Sequence, residues 1–333
     1  MRRLPLVVLV ALVGACSAGS DAARPTSTTA PPTTAPPATA PPSTAPEPAE
    51  FAVGSRTIEL VDPSRPTGAD EDRGLAEQPD RTIPVLILHP AAGEVITPTA
   101  PQVDLPVADG AFPLVVFSHG VTATGPTYTN RLQAWARAGY VVAAPTYPLS
   151  SGPGGEISDY VNQPADVTFV IDQLLALPAD DPLAGHFDEE AIAVAGHSLG
   201  AITTLGVSLN GCCADDRLDA AVEISGLRLP FPEGDFDDLG RVPLLAVHGA
   251  TDRTVSVSGS DTLFEEVPGP AAYLRFPDGG HSDILTTDGP LIDQVVIAFL
   301  DAFLKDDEEG LAEVPVAVAG SGRATFATKP DPG

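Results

Sequence analysis

Short apolar runs alternate with amphipathic stretches along most of this chain, and that rhythm sets the first expectations. Ile58-Glu59-Leu60-Val61 and Ile83-Pro84-Val85-Leu86-Ile87-Leu88 read as two leading strands joined by a polar loop. Leu114-Val115-Val116-Phe117 is continuously apolar, as a strand buried on both faces requires. A helical segment from Tyr128 to Ala138 stops at Gly139 and gives way to the strand Tyr140-Val141-Val142-Ala143-Ala144. From Val161 to Leu177 the pattern is helical, with Val167, Val170, Ile171, Leu174 and Leu175 on one face and Pro178 beyond its end. The strand Ala191 to Ala195 then precedes a helix from Ser198 to Leu209. Strands at 220–224, 244–247 and 271–276 and a last helix from about Leu291 to Leu304 complete the series. Strands alternating with crossover helices predict an α/β fold, a mostly parallel sheet with helices on both faces. One domain over 51–310 accounts for all of them, and 311–333, rich in Ala, Gly and Pro, is expected to lie loosely on its surface, although Val314 to Val318 could pack.

The amino terminus breaks the rhythm. Met1-Arg2-Arg3 is a basic cap, and Leu4 to Val13 is apolar except for Pro5. That run is roughly a dozen residues, against the ~20 that span a bilayer as a helix. Small residues then lead into Val13-Gly14-Ala15-Cys16, the layout of an export signal. The last four residues resemble the bacterial lipobox, which implies a signal peptide over 1–15, lipidation at Cys16 and an exported lipoprotein held to the membrane by its lipid. Residues 16–50 are nearly all Ala, Pro, Thr and Ser. Such a segment cannot bury enough apolar surface to offset its ordering entropy, so a disordered stalk is expected.

Charge narrows the partners. With 17 Lys+Arg against 45 Asp+Glu, the 333-residue chain carries a formal charge of −28. Nothing in that balance could neutralise nucleic-acid phosphates, so no nucleic-acid partner is expected. Three cysteines are too few for a disulfide scaffold. The vicinal pair Cys212-Cys213 reads equally as buried thiols or as a disulfide.

Three loops carry the candidate chemistry. Gly196-His197-Ser198-Leu199-Gly200 sets a serine between a strand and a helix within G-x-S-x-G, a sharp turn that lifts the hydroxyl clear of the backbone. The bland alternative is a glycine-flanked serine capping a helix. Asp252 follows the strand at 244–247, and His281 follows the strand at 271–276. Loops at the carboxyl ends of parallel strands converge on one crevice, so Ser198, Asp252 and His281 can meet there as nucleophile, orienting acid and base. Asp278 and Asp283 flank His281 as rival acids. His119 and His248, each before a glycine at a strand end, are expected to brace loops. No pair of histidines has metal-ligand spacing, and no metal or cofactor is expected.

With these loops in place the sequence resembles the α/β-hydrolase superfamily over about residues 83–304. Within it the chain is similar to bacterial esterases and lipases related to platelet-activating-factor acetylhydrolase and chlorophyllase. Arg81-Thr82-Ile83-Pro84-Val85, Phe117-Ser118-His119-Gly120 and Gly139-Tyr140-Val141-Val142-Ala143-Ala144-Pro145 carry the closer likeness. In the acetylhydrolases the acid follows the strand after the nucleophile helix. Here that point reads Glu223-Ile224-Ser225-Gly226, which leaves Asp252 as the better assignment. The resemblance implies an oxyanion hole from the backbone N–H groups of Val121 and Leu199, although Gly120 and Thr122 remain within one residue of the first. Gly120, Thr122, Tyr128 and Leu227 are expected to line the substrate. Only 17 residues, 225–241, occupy the place where many relatives insert a lid, so no large cap domain is expected. The expected function is carboxylic ester hydrolysis of a small-molecule or lipid ester. A peptidase, a thioesterase or a non-catalytic surface-displayed binding lipoprotein are the alternatives, and the oligomeric state is open.

Overall fold

The computed structural model describes residues 50–95 and 101–332. The expected signal peptide, Cys16 and, apart from Glu50, the expected stalk lie outside the described residues.

The chain opens with β1 (Ala52–Asp62) and β2 (Arg81–Ala91), an antiparallel pair joined in register from Ala52–Ala91 to Asp62–Arg81. The short β3 (Gln102–Val103) adds to the far edge of β1. Then come β4 (Phe112–Ser118), α1 (Thr129–Arg137), β5 (Val141–Pro145), α2 (Gln163–Leu175), β6 (Phe187–His197), α3 (Leu199–Leu209) and β7 (Leu218–Ile224). The second half holds β8 (Leu244–Gly249), α4 (Ser258–Glu266), β9 (Ala271–Phe276), α5 (Asp283–Thr287), α6 (Gly289–Leu304), α7 (Glu309–Ser321) and β10 (Thr325–Lys329). The strands form one ten-stranded sheet in the order β10-β9-β8-β7-β6-β4-β5-β2-β1-β3. Strands β5, β4, β6, β7, β8 and β9 run parallel to their neighbours, whereas β2 meets β5, and β10 meets β9, antiparallel.

The two-residue period of the strands divides the core into two layers. Val115 and Phe117 of β4, Val142 of β5, Val222 of β7 and Val247 of β8 face Leu132 and Trp135 of α1 and Val295, Val296 and Phe299 of α6. Their neighbours Leu114, Val116, Val141, Ala221 and Leu244 face Val167, Val170, Ile171 and Leu174 of α2 and Leu205 and Val207 of α3. Each such side chain taken fully from water contributes roughly 1.5–3 kcal/mol, which is why a central strand such as β4 is apolar from Phe112 through Phe117.

For the carboxyl-terminal segment the structure takes the packed alternative that Val314 to Val318 offered. Residues 311–332 are not a loose tail. Val314 and Val318, one helical turn apart on α7, enter the same layer as α6, each 2 % exposed. Strand β10 then pairs Phe326 with Leu274 and Thr328 with Ala272 on the edge of β9. Two apolar residues at helical spacing are enough to dock this segment despite its Ala and Gly content.

Candidate active site

Ser198 stands between β6 and α3 with φ +57° and ψ −119°, a conformation that L residues rarely adopt. Ordering it costs on the order of 1–3 kcal/mol, and the packing around the turn holds it there. A Cβ on Gly196 would stand 2.2 Å from the carbonyl oxygen of Gly200, and one on Gly200 would stand 2.0 Å from that of Ser118. Glycine at both positions therefore lets the helix approach the strands closely enough to form the turn.

Loops at the ends of β8 and β9 bring the other two groups to this serine. His281 Nε2 lies 2.9 Å from Ser198 Oγ, and His281 Nδ1 lies 2.7 Å from Asp252 Oδ2. Both Asp252 acceptors are occupied, since its Oδ1 receives the N–H groups of Thr254 at 2.7 Å and Val255 at 2.9 Å. Burial alone would raise the Asp252 carboxyl. The N–H of Val255, the His281 imidazole and the N–H of Thr254 outweigh it and hold the group below the usual carboxylate range. A charged Asp252 fixes the His281 proton on Nδ1 and leaves Nε2 free to accept from Ser198. Asp278 and Asp283 make no hydrogen bond to the His281 ring among the described residues.

A second chain of hydrogen bonds ties the three loops together. The N–H of Gly120 donates to Tyr128 Oη at 3.2 Å, and Tyr128 donates to His197 Nδ1 at 2.8 Å. His197 Nε2 donates in turn to the carbonyl of His281 at 3.2 Å. Burial pushes the His197 imidazole down to about 4, so it is neutral and its two nitrogens keep these distinct roles. His119 is likewise pushed down to about 4 by burial; its Nδ1 donates to the Gly120 carbonyl and its Nε2 accepts from the N–H of Tyr147.

These contacts separate Val121 from its neighbours. Gly120 gives its N–H to Tyr128, and Thr122 gives its own to the carbonyl of Ser150 at 2.7 Å. The N–H of Val121 has no acceptor among the described residues, and neither does that of Leu199, the first residue of α3.

Beside Ser198 lies a cleft of about 650 Å³. Gly120, Val121, Tyr128, His197 and His281 form its floor, and Leu285, Thr286 and Pro290 from α5 and α6 form the opposite wall. Thr122 and Leu227 are not among the residues that line this cleft, although Leu227 packs against Leu199, Ile202 and Phe231 next to it. Thr122, at φ +65°, turns toward the segment after β5, and Leu227 packs beneath the start of α4, where a Cβ on Gly259 would come within 2.8 Å of it. The wall from α5 and α6 was invisible in the sequence because those helices lie far along the chain from the nucleophile. Arg131 also borders the cleft, but Asp293, the carbonyl of Gly289 and the carbonyl of Leu285 take its N–H groups. Segment 225–241 carries no helix and only a Phe231–Gly234 bridge. Cys212 and Cys213 are joined by a disulfide near its base. Among the described residues no three His, Cys, Asp or Glu side chains are grouped to hold a metal ion.

The sequence model of the chlorophyllase family matches residues 84–226, a span that contains Val121 and Ser198 and stops short of Asp252 and His281. No curated protein matches the chain. Among solved structures the fold is similar to a ferulic acid esterase from Streptomyces cinnamoneus, with a TM-score of 0.66 and 22% sequence identity. That likeness covers 86% of this chain and 98% of the other. Sheet order, the strained serine turn and these two likenesses agree on one architecture: the chain has the fold of an α/β-hydrolase.

Proposed function

We propose that this esterase-type hydrolase cleaves carboxylic esters through Ser198, His281 and Asp252. The observation that carries the proposal is the unbroken line from Ser198 Oγ to His281 and on to Asp252 at the mouth of a cleft. Ser198 Oγ attacks the ester carbonyl as its proton passes to His281 Nε2. The negative charge that develops on the carbonyl oxygen is received by the N–H groups of Val121 and Leu199, the two donors left without partners, and by the positive end of α3. His281 returns the proton to the departing alcohol, and an acyl group remains on Ser198. Water, deprotonated by the same imidazole, then releases the acid.

The cleft supports an uncharged ester. Among the described residues Arg131 is the arginine that borders the cleft, and both its Nη groups are held by Asp293 and the carbonyls of Gly289 and Leu285 rather than offered to an anionic substrate. The amino-terminal pattern supports an exported lipoprotein lipidated at Cys16, which detergent partitioning of wild type and Cys16→Ser would read.

Hydrolysis of short p-nitrophenyl esters tests the assignment. Ser198→Ala is expected to reduce turnover by about 10⁴-fold or more and to abolish labelling by a fluorophosphonate. A wild-type protein that neither turns over esters nor takes the label has a binding role instead.

A further inference from the structure

Behind Asp252, on the side away from His281, lies a group of polar side chains that the proposed reaction does not use. Glu223 of β7, His248 of β8 and Ser260 of α4 are each 0 % exposed. His248 Nε2 is 3.2 Å from Asp252 Oδ2 and 3.2 Å from the carbonyl oxygen of Val255. Both neighbours are acceptors, so Nε2 carries a proton. His248 Nδ1 is 2.7 Å from Ser260 Oγ, and Ser260 Oγ is 2.5 Å from Glu223 Oε1. The other oxygen of Glu223 accepts the N–H of Gly226 at 2.9 Å.

Counting protons along this line leads to the inference. Two hydrogen bonds, from Nδ1 to Oγ and from Oγ to Oε1, need two protons between the three atoms. Ser260 supplies one. A neutral imidazole protonated on Nε2 and an ionised Glu223 supply none, and would leave lone pair facing lone pair in one of the two contacts. One more proton must therefore reside here, either on His248 Nδ1 or on Glu223. Placing it on Glu223 leaves both groups neutral, which complete burial favours over an ion pair. The titratable groups around Glu223 are His248 and, farther off, Tyr273, whose hydroxyl is taken by Asp261; Asp252 and His281 lie beyond His248.

We propose that Glu223, Ser260 and His248 form a proton-holding relay that positions Asp252. Every donor in it points the same way: the Glu223 acid donates to Ser260, Ser260 to His248 Nδ1, and His248 Nε2 to Asp252 Oδ2. Asp252 Oδ2 is thereby held between two imidazoles, His281 in front and His248 behind. Burial also pushes the Glu223 carboxyl up, in keeping with its neutral form. His248 and Glu223 are positioning residues that act through Asp252, and the inference rests on the reading of Ser198, His281 and Asp252 given above.

Two measurements on the full chain test it. The first is nitrogen NMR of ¹⁵N-histidine protein, which needs no turnover. At pH 7 the His248 ring is expected neutral, protonated on Nε2 and accepting at Nδ1. Glu223→Gln, whose amide can make the same donation to Ser260, should leave that signal in place, whereas Glu223→Ala should change it. Raising the pH should perturb His248 in the wild type as the Glu223 proton departs, and leave it unperturbed in Glu223→Gln. A doubly protonated His248 at pH 7, or an unprotonated Nε2, overturns the relay.

The second measurement is ester hydrolysis normalised to serine titrated by fluorophosphonate, so that misfolded protein is not counted. His248→Ala is expected to lower kcat about tenfold with little change in KM, and His248→Gln, which restores an N–H toward Asp252, to recover most of it. Glu223→Gln should keep kcat at pH 7 several-fold above that of Glu223→Ala. Active wild type with no recovery in either conservative variant refutes the relay alone. Inert wild type refutes the reading of Ser198, and the NMR result then still decides the relay.

Discussion

Two buried histidines, His119 and His197, should make this fold acid-sensitive in a window that can be stated in advance. Burial depresses each imidazole from an unfolded value of 6.5 to about 4 in the folded protein. Between those limits the unfolded chain binds a proton at each position that the folded chain refuses, so stability falls as the pH falls. The contribution is fully present above pH 6.5 and lost progressively down to about 4. Each histidine contributes a slope of up to about 1.4 kcal/mol per pH unit, or about 3 kcal/mol over the window. Carboxyl groups confound the absolute curve, because burial raises Asp166, Asp219 and Glu223 while hydrogen bonds lower Asp62 and Asp181. Comparing variants removes that background. His119→Gln and His197→Gln keep a neutral donor and acceptor and cannot titrate. Urea unfolding at half-unit steps from pH 4.5 to 7 would give stability against pH for all three proteins. The variants should start less stable at pH 7 and lose stability less steeply, so their lines converge with that of the wild type on acidification. Parallel lines would refute the claim that these rings are held neutral by burial.

Two further outcomes follow from the packing. Gly200→Ala forces a methyl against the backbone of Ser118 and His119, with 2.0 Å to the nearest atom; a loss of about 3 kcal/mol in urea unfolding and a collapse of fluorophosphonate labelling are expected. Val314→Asp places an unpaired carboxylate in the layer between α6 and α7 and is expected to lower stability by about 3 kcal/mol, whereas Val316→Asp on the exposed side of α7 should leave the unfolding midpoint unchanged.

Legibility in the sequence tracked how strongly each element depends on burial. Strands β4, β5 and β8 lie between two layers, so their unbroken apolar runs announce them. Helix α4 was not anticipated, because Ser258-Gly259-Ser260-Asp261-Thr262-Leu263 buries Leu263 and Ser260 alone and shows no apolar stripe. Strand β10 buries none of its residues and depends on the edge of β9 for its hydrogen bonds. The places of Ser198, Asp252 and His281 could be read because each follows a recognisable strand. Where Leu227 packs was not legible, because an apolar residue in a loop does not reveal which neighbour it covers. The cluster behind Asp252 is spread over positions 223, 248 and 260. Its one local sign was Glu223, a carboxyl set among Ala220, Ala221, Val222 and Ile224, where a central strand admits a polar group only with hydrogen-bond partners.

The last strand of the chain finishes the sheet beside the strand that leads into the His281 loop. Until β10 pairs, the margin of β9 stays open. Shortened versions that end before Thr325 would display a naked, adhesive border next to the site and invite association with other chains.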